Sequence, residues 1–115
     1  MVRAIKGGST DGIGLGRPVC EEPDLPKRLI SGEAQSARKT LFDRNDSGTS
    51  VYAACLQLNQ LAYGDAPFDS TNKKAVDRFV AGFHAYFRDL ATDVQNNIVR
   101  AGFTKKWLDE MRELA

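Results

Sequence analysis

Thr10, Asp11, Gly12, Ile13, Gly14, Leu15, Gly16, Arg17 and Pro18 follow one another near the start of the chain, and the reading of the fold turns on them. Ile13 and Leu15 alternate with three glycines, a period of two that predicts a short strand, within the usual range of about four to six residues. Glycine at every second position strips one face of side chains. That weakens a strand unless something must approach its backbone closely. Such a strand also needs neighbours, because its N–H and C=O groups would otherwise stay unpaired on both edges. Burying Ile13 or Leu15 contributes about 1.5 to 3 kcal/mol each, and only adjacent strands would bury them.

Outward from this stretch the pattern is helical. Residues Met1 to Lys6 are helix-compatible, stop at Gly7 and Gly8, and read as the truncated last turn of a longer helix. Leu25 to Ile30 reads as a short helix that Asp24 can cap and Gly32 can stop. Glu33 to Asp46 is polar, with Leu41 and Phe42 as its large apolar pair, and is expected to be a connecting loop. A helix from about Ser50 to Tyr63, capped by Ser47 or Thr49, repeats Val51, Ala54, Cys55, Leu58, Leu61 and Ala62 at spacings of three and four. Gly64 to Phe68 breaks it. The longest element is expected from about Asn72 to Ala101, with Ser70 or Thr71 as cap and Gly102 as stop. Its stripe is Val76, Phe79, Val80, Phe83, Phe87, Leu90, Ala91, Val94 and Ile98. Thr104 can cap a last helix, Lys105 to Leu114, in which Trp107, Leu108, Met111 and Leu114 share a face.

At 115 residues the chain is one domain at most. Sixteen Lys and Arg against fifteen Asp and Glu form no basic face for nucleic acid. The longest apolar run, Val51 to Leu56, is six residues, against about 20 needed to cross a bilayer. No apolar h-region follows the start, and Cys20 and Cys55 are too few for a disulfide framework and lack metal-ligand spacing, so the cytosol is the expected compartment. The single histidine, His84, falls beside the apolar stripe and reads as a partly buried packing residue, which leaves no imidazole for a nucleophile. Cys20 reads as a buried bystander. Glu21 with Glu22, and Asp109 with Glu110, are sequential pairs that do not converge, and they read as solvated charges. The glycines and Arg17 remain. Backbone amides at a glycine-rich strand end can approach a phosphate closely, and Arg17 adds a cation. The spacing is neither the dinucleotide fingerprint nor a Walker loop, and a ligand-free glycine turn, which composition favours, stays open.

Thr10 to Pro18, together with Glu22, Pro23, Asp24, Leu25, Pro26 and Lys27 and then Ile30, Ser31 and Gly32, resembles the carboxyl-terminal end of the old yellow enzyme family, the NADH:flavin oxidoreductases of (β/α)8-barrel fold. The likeness is clear over residues 1 to 32 and looser through Val51 to Phe68 and the long helix, which resemble the helical extension of some fungal and bacterial members. It implies a mostly α chain: a fragment of a TIM barrel, its last strand and helix, in residues 1–45, then a helical carboxyl-terminal extension in 46–115. By position Gly16 and Arg17 match the pair that holds the phosphate of FMN, and Gly14 and Leu15 match the residues leading into it. The family passes a hydride from NAD(P)H to FMN and on to an electron-poor alkene or similar acceptor. Its catalytic residues would precede Met1, so none is assigned, and Tyr52, Tyr63 and Tyr86 are expected to be packing residues. A whole barrel takes about 250 residues, so a chain of this length is expected to be inactive alone. The alternatives are a small helical interaction module that docks through Phe79, Phe83 and Phe87, and a stand-alone phosphate binder using Gly16 and Arg17. The stripe itself is expected to face residues 51 to 63 of the same chain.

Overall fold

A computed structural model of the chain describes residues 2–43, 45–96 and 103–114. Six helices occur among them: α1 (Val2–Lys6), α2 (Arg17–Glu21), α3 (Leu25–Ser31), α4 (Ser47–Ala62), α5 (Lys73–Gln95) and α6 (Lys105–Arg112). The mostly α expectation holds. The strand through Ile13 and Leu15 does not: no strand occurs among the described residues, the backbone of 12–16 is irregular, and Ile13 is 38% exposed. The physical reason is the lack of a partner. A strand is a paired object, and no second extended segment among the described residues offers its edge.

Local punctuation sets most helix ends. Gly7 donates to the Arg3 carbonyl at 2.9 Å and Gly8 turns left-handed at φ +68°, closing α1, which packs on none of the other described helices. Pro18 presets the first turn of α2, an element that the reading of the sequence did not delimit. Gly32, at φ +79°, stops α3 as expected, whereas Asp24 occupies the cap position without a capping bond and lies 3.9 Å from Arg28 instead. The cap of α4 is Asp46, which accepts from the Thr49 amide at 3.0 Å, and not Ser47 or Thr49. Asn72 caps α5, accepting from Lys74 and Ala75 at 3.0 and 3.3 Å. Ser70 and Thr71 are engaged elsewhere, Thr71 by the Asp69 carboxylate. Thr104 caps α6 as expected, accepting from the Trp107 amide. The expected end of the long helix at Ala101, the stop at Gly102 and the stripe residue Ile98 lie outside the described residues.

The core is built around Phe79, fully buried on α5. It stacks on Phe68 at 5.3 Å and on Trp107 of α6 at 5.5 Å, while Phe42 meets it edge-on at 5.6 Å. Leu56 and Met111 complete this cluster. The α5 stripe does face its own chain: Phe83 and Phe87 meet Tyr52 of α4 edge-on, at 5.3 and 5.0 Å. With Phe79 sealed and the other two against Tyr52, the docking face imagined for an interaction module is largely used within the chain. It is open toward its far end, where Phe87 is 36% and Val94 67% exposed.

Helix α4 buries a face that shares Ala54 with the expected stripe but is otherwise shifted. Ala53, Ala54, Leu56, Gln57 and Gln60 are inside, and Val51, Cys55, Leu58 and Ala62 are exposed. The loop after α4 decides this. Its buried backbone needs partners, and two glutamines supply them. Gln57 Nε2 donates to the Phe68 carbonyl and to Ser70 Oγ, both at 3.0 Å, and Gln60 Oε1 accepts from the Phe68 amide at 2.9 Å. Two smaller expectations also change. His84 is exposed and touches only the edge of Phe83 among the rings, and Tyr63 is exposed, whereas Tyr86 packs between Phe103 and Trp107.

Candidate functional site

The four residues matched to a phosphate grip do not converge on one cavity. Gly14 and Gly16 are exposed and Leu15 is half-buried. Arg17, the first residue of α2, is the one that lines a cleft of about 830 Å³ between α2, residues 36–43 and 45, and α4. The glycine backbone is nevertheless open. A Cβ placed on Gly12, Gly14 or Gly16 would meet nothing within 4 Å, and no hydrogen bond among the described residues engages the amides of residues 13 to 16. Closeness within the chain therefore does not explain these glycines.

The guanidinium of Arg17 donates from Nη1 to Ser50 Oγ, in the first turn of α4. Among the described residues it has no carboxylate within 4 Å, and neither does Lys39 across the cleft. Glu21, one helical turn from Arg17 and its natural partner on α2, is turned to the loop before α5, where it accepts from the Ser70 amide at 3.0 Å. Burial pushes the Glu21 carboxyl above its ordinary value, against the opposing pull of that hydrogen bond.

Glu22 departs furthest from the solvated charge that the sequence suggested. It is 4% exposed and ties three segments together, bonding Arg28 Nη1 of α3 at 3.1 Å, lying 3.5 Å from Arg38 Nε and accepting from the Arg38 amide at 2.8 Å. Pairing on this scale makes a buried carboxylate tolerable. Nothing local announces it, since Arg38 is sixteen residues away. Ser50 was missed for the same reason, at a separation of thirty-three. Cys20 is buried as expected, and its thiol is pushed up by that burial and by the nearby Cys55.

Set against FMN, these groups are of the kind that takes up a phosphate, but of the four only Arg17 lines the cleft. Unengaged amides at residues 13 to 16 and an uncompensated arginine suit a phosphate. For the flavin ring the described residues provide no comparable wall, Phe42 being the one aromatic side chain on the cleft. No helix of the described residues is long and apolar enough to cross a membrane.

No protein-family model matches the chain, and no solved structure matches it. The chain is similar to the NADH-dependent flavin oxidoreductase nadA of Aspergillus parasiticus, with 33% identity over 85 residues. That alignment takes in 74% of this chain and 19% of the relative, so the chain spans about a fifth of the length of the protein it resembles.

Proposed function

We propose that this chain is the carboxyl-terminal portion of an FMN-dependent NAD(P)H oxidoreductase of the old yellow enzyme type, the end of a (β/α)8 barrel followed by a helical extension. The observation that carries the reading is the 33% identity over 85 residues to an NADH-dependent flavin oxidoreductase. Within such an enzyme the chain supplies part of the phosphate grip: the backbone of Gly14, Leu15 and Gly16 and the guanidinium of Arg17. It contributes no acid, base or substrate contact, and so is inactive alone. Hydride transfer to an electron-poor alkene belongs to flavin and residues elsewhere. A cytosolic setting accords with two free cysteines.

The test follows amide resonances of the isolated chain while FMN, ribose 5-phosphate or ribose is added at millimolar concentration. FMN and ribose 5-phosphate are expected to move Gly14, Gly16 and Arg17 to a similar extent, and ribose to leave them in place. Arg17→Gln is expected to weaken the response by about tenfold, the scale of a charge-assisted hydrogen bond. An equal response to ribose, or indifference to Arg17→Gln, would remove the phosphate grip.

A further inference from the structure

Resting on the phosphate-grip reading, we infer that Ser50 is a positioning residue for Arg17: helix α4 sets the guanidinium in place through a neutral acceptor and leaves its charge uncompensated for an incoming anion. The inference starts from the chemistry of the hydroxyl. A serine has one donor and two acceptor lone pairs. Here Ser50 Oγ lies 3.1 Å from the Asp46 carbonyl and 3.2 Å from the Ser47 carbonyl, both in the opening turn of α4. Its proton goes to that turn, which directs lone pairs to Arg17 Nη1. The turn is itself fixed, because the Asp46 carboxylate takes both the amide and the hydroxyl of Thr49.

Two further features have the same consequence. Helix α2 packs more closely on α4 than on any other described helix, so the two ends of the Arg17–Ser50 bond belong to elements already held together. The obvious competitor is also occupied elsewhere. Glu21 would be placed to pair with Arg17 along α2, yet it accepts from the Ser70 amide. An acceptor without charge orients a cation without spending its electrostatic attraction, whereas a carboxylate in the same place would bind it and mask it. A guanidinium already held in one orientation also loses less rotamer freedom when an anion arrives. The helical extension is thereby coupled to the phosphate end of the cofactor site.

The full chain is titrated with ribose 5-phosphate, following the Arg17 amide and side-chain Nε resonances, for the wild type, Ser50→Ala, Ser50→Thr, Ser50→Asp and Arg17→Gln. Losing one solvent-accessible hydrogen bond predicts about threefold to tenfold weaker binding for Ser50→Ala. Ser50→Thr keeps the hydroxyl and is expected to stay close to wild type. Ser50→Asp is expected to lose more than Ser50→Ala, because a carboxylate there neutralises Arg17 and repels the phosphate; rescue by Ser50→Thr of what Ser50→Ala loses, at equal urea midpoints, is the readout that a merely structural role would not produce. Urea midpoints measured alongside identify any variant whose fold is lost, and the remaining variants still rank the acceptor. Wild-type affinity in Ser50→Ala, with binding lost in Arg17→Gln, overturns the positioning role and leaves the proposed function standing. Indifference to both substitutions overturns the two together.

Discussion

Replacing Gly82 with alanine tests the packing of the carboxyl-terminal helices at a single point. A Cβ at this position of α5 would lie 2.2 Å from Trp107 Nε1, 2.6 Å from Cε2 and 2.7 Å from Cδ1. Ordinary carbon contacts begin near 3.5 Å, so the indole must retreat by about 1 Å. It has little room to do so. Trp107 is 4% exposed, stacked on Phe79 and edge-on to Phe103 at 5.3 Å. Overpacking of this kind costs about 1 to 3 kcal/mol, and each aromatic contact disturbed adds about 0.5 to 1.5 kcal/mol. Alanine recovers about 1 kcal/mol through its better helix propensity. With the Phe79 and Phe103 contacts both disturbed, the balance predicts a net loss of about 1 to 5 kcal/mol. Trp107 is the sole tryptophan of the chain, so its fluorescence reports the event directly. Urea unfolding of Gly82→Ala is expected to show a lower midpoint and a red-shifted native emission, with most far-UV helical signal retained because α6 is only eight residues long. In a Trp107→Leu background, where the clash is relieved, the same substitution is expected to cost less or to stabilise. A variant as stable as the wild type with unchanged emission would refute the placement of the indole against the α5 backbone.

Glu22→Gln is expected to lower the unfolding free energy by about 1 to 3 kcal/mol, read as a lower urea midpoint, because it leaves two partly exposed arginines without their shared buried anion; an unchanged midpoint would sink the idea that Glu22 ties α2 and α3 to the 33–40 segment. Glu21 gives a pH dependence of opposite sign to that of ordinary paired carboxylates. Its folded value is raised by burial, so the native state binds the proton more tightly than the unfolded chain does. Stability from this group is therefore fully present below the unfolded value of about 4.3 and is lost as pH rises through the folded value. Glu21→Gln, which keeps an acceptor for the Ser70 amide, is expected to be more stable than wild type at pH 7 and to lose that advantage below about pH 4. A stability difference that grows on acidification would contradict the sign.

The elements that could be read in advance share a physical character: their causes are short-range. Gly32 stops α3 because a left-handed backbone suits glycine, and Thr104 caps α6 through a hydroxyl three residues from its donor. The α5 stripe was legible because Val76, Phe79 and Phe83 repeat at helical spacing whatever they pack against. The caps of α4 and α5 were misplaced because each lies in a run of capping-competent residues, and the choice falls to whichever is not needed elsewhere. Ser70, for one, is buried against Gln57. The strand failed for a related reason. Alternation at Ile13 and Leu15 states a preference, but only a partner edge makes a strand of it.

The same division holds for the candidate site. Glycine spacing and a neighbouring cation are local facts, and they mark Gly12 to Arg17 as a stretch where a backbone could meet an anion; the narrower set of Gly14, Leu15, Gly16 and Arg17 rests on the family resemblance. Tertiary structure decided the rest: Arg17 is oriented by Ser50, Glu22 is sealed between two arginines, Gln57 and Gln60 face inward, and Gly82 makes room for an indole. Each of these depends on residues brought together from at least six positions apart, and chain spacing carries no record of which distant groups a fold will place in contact.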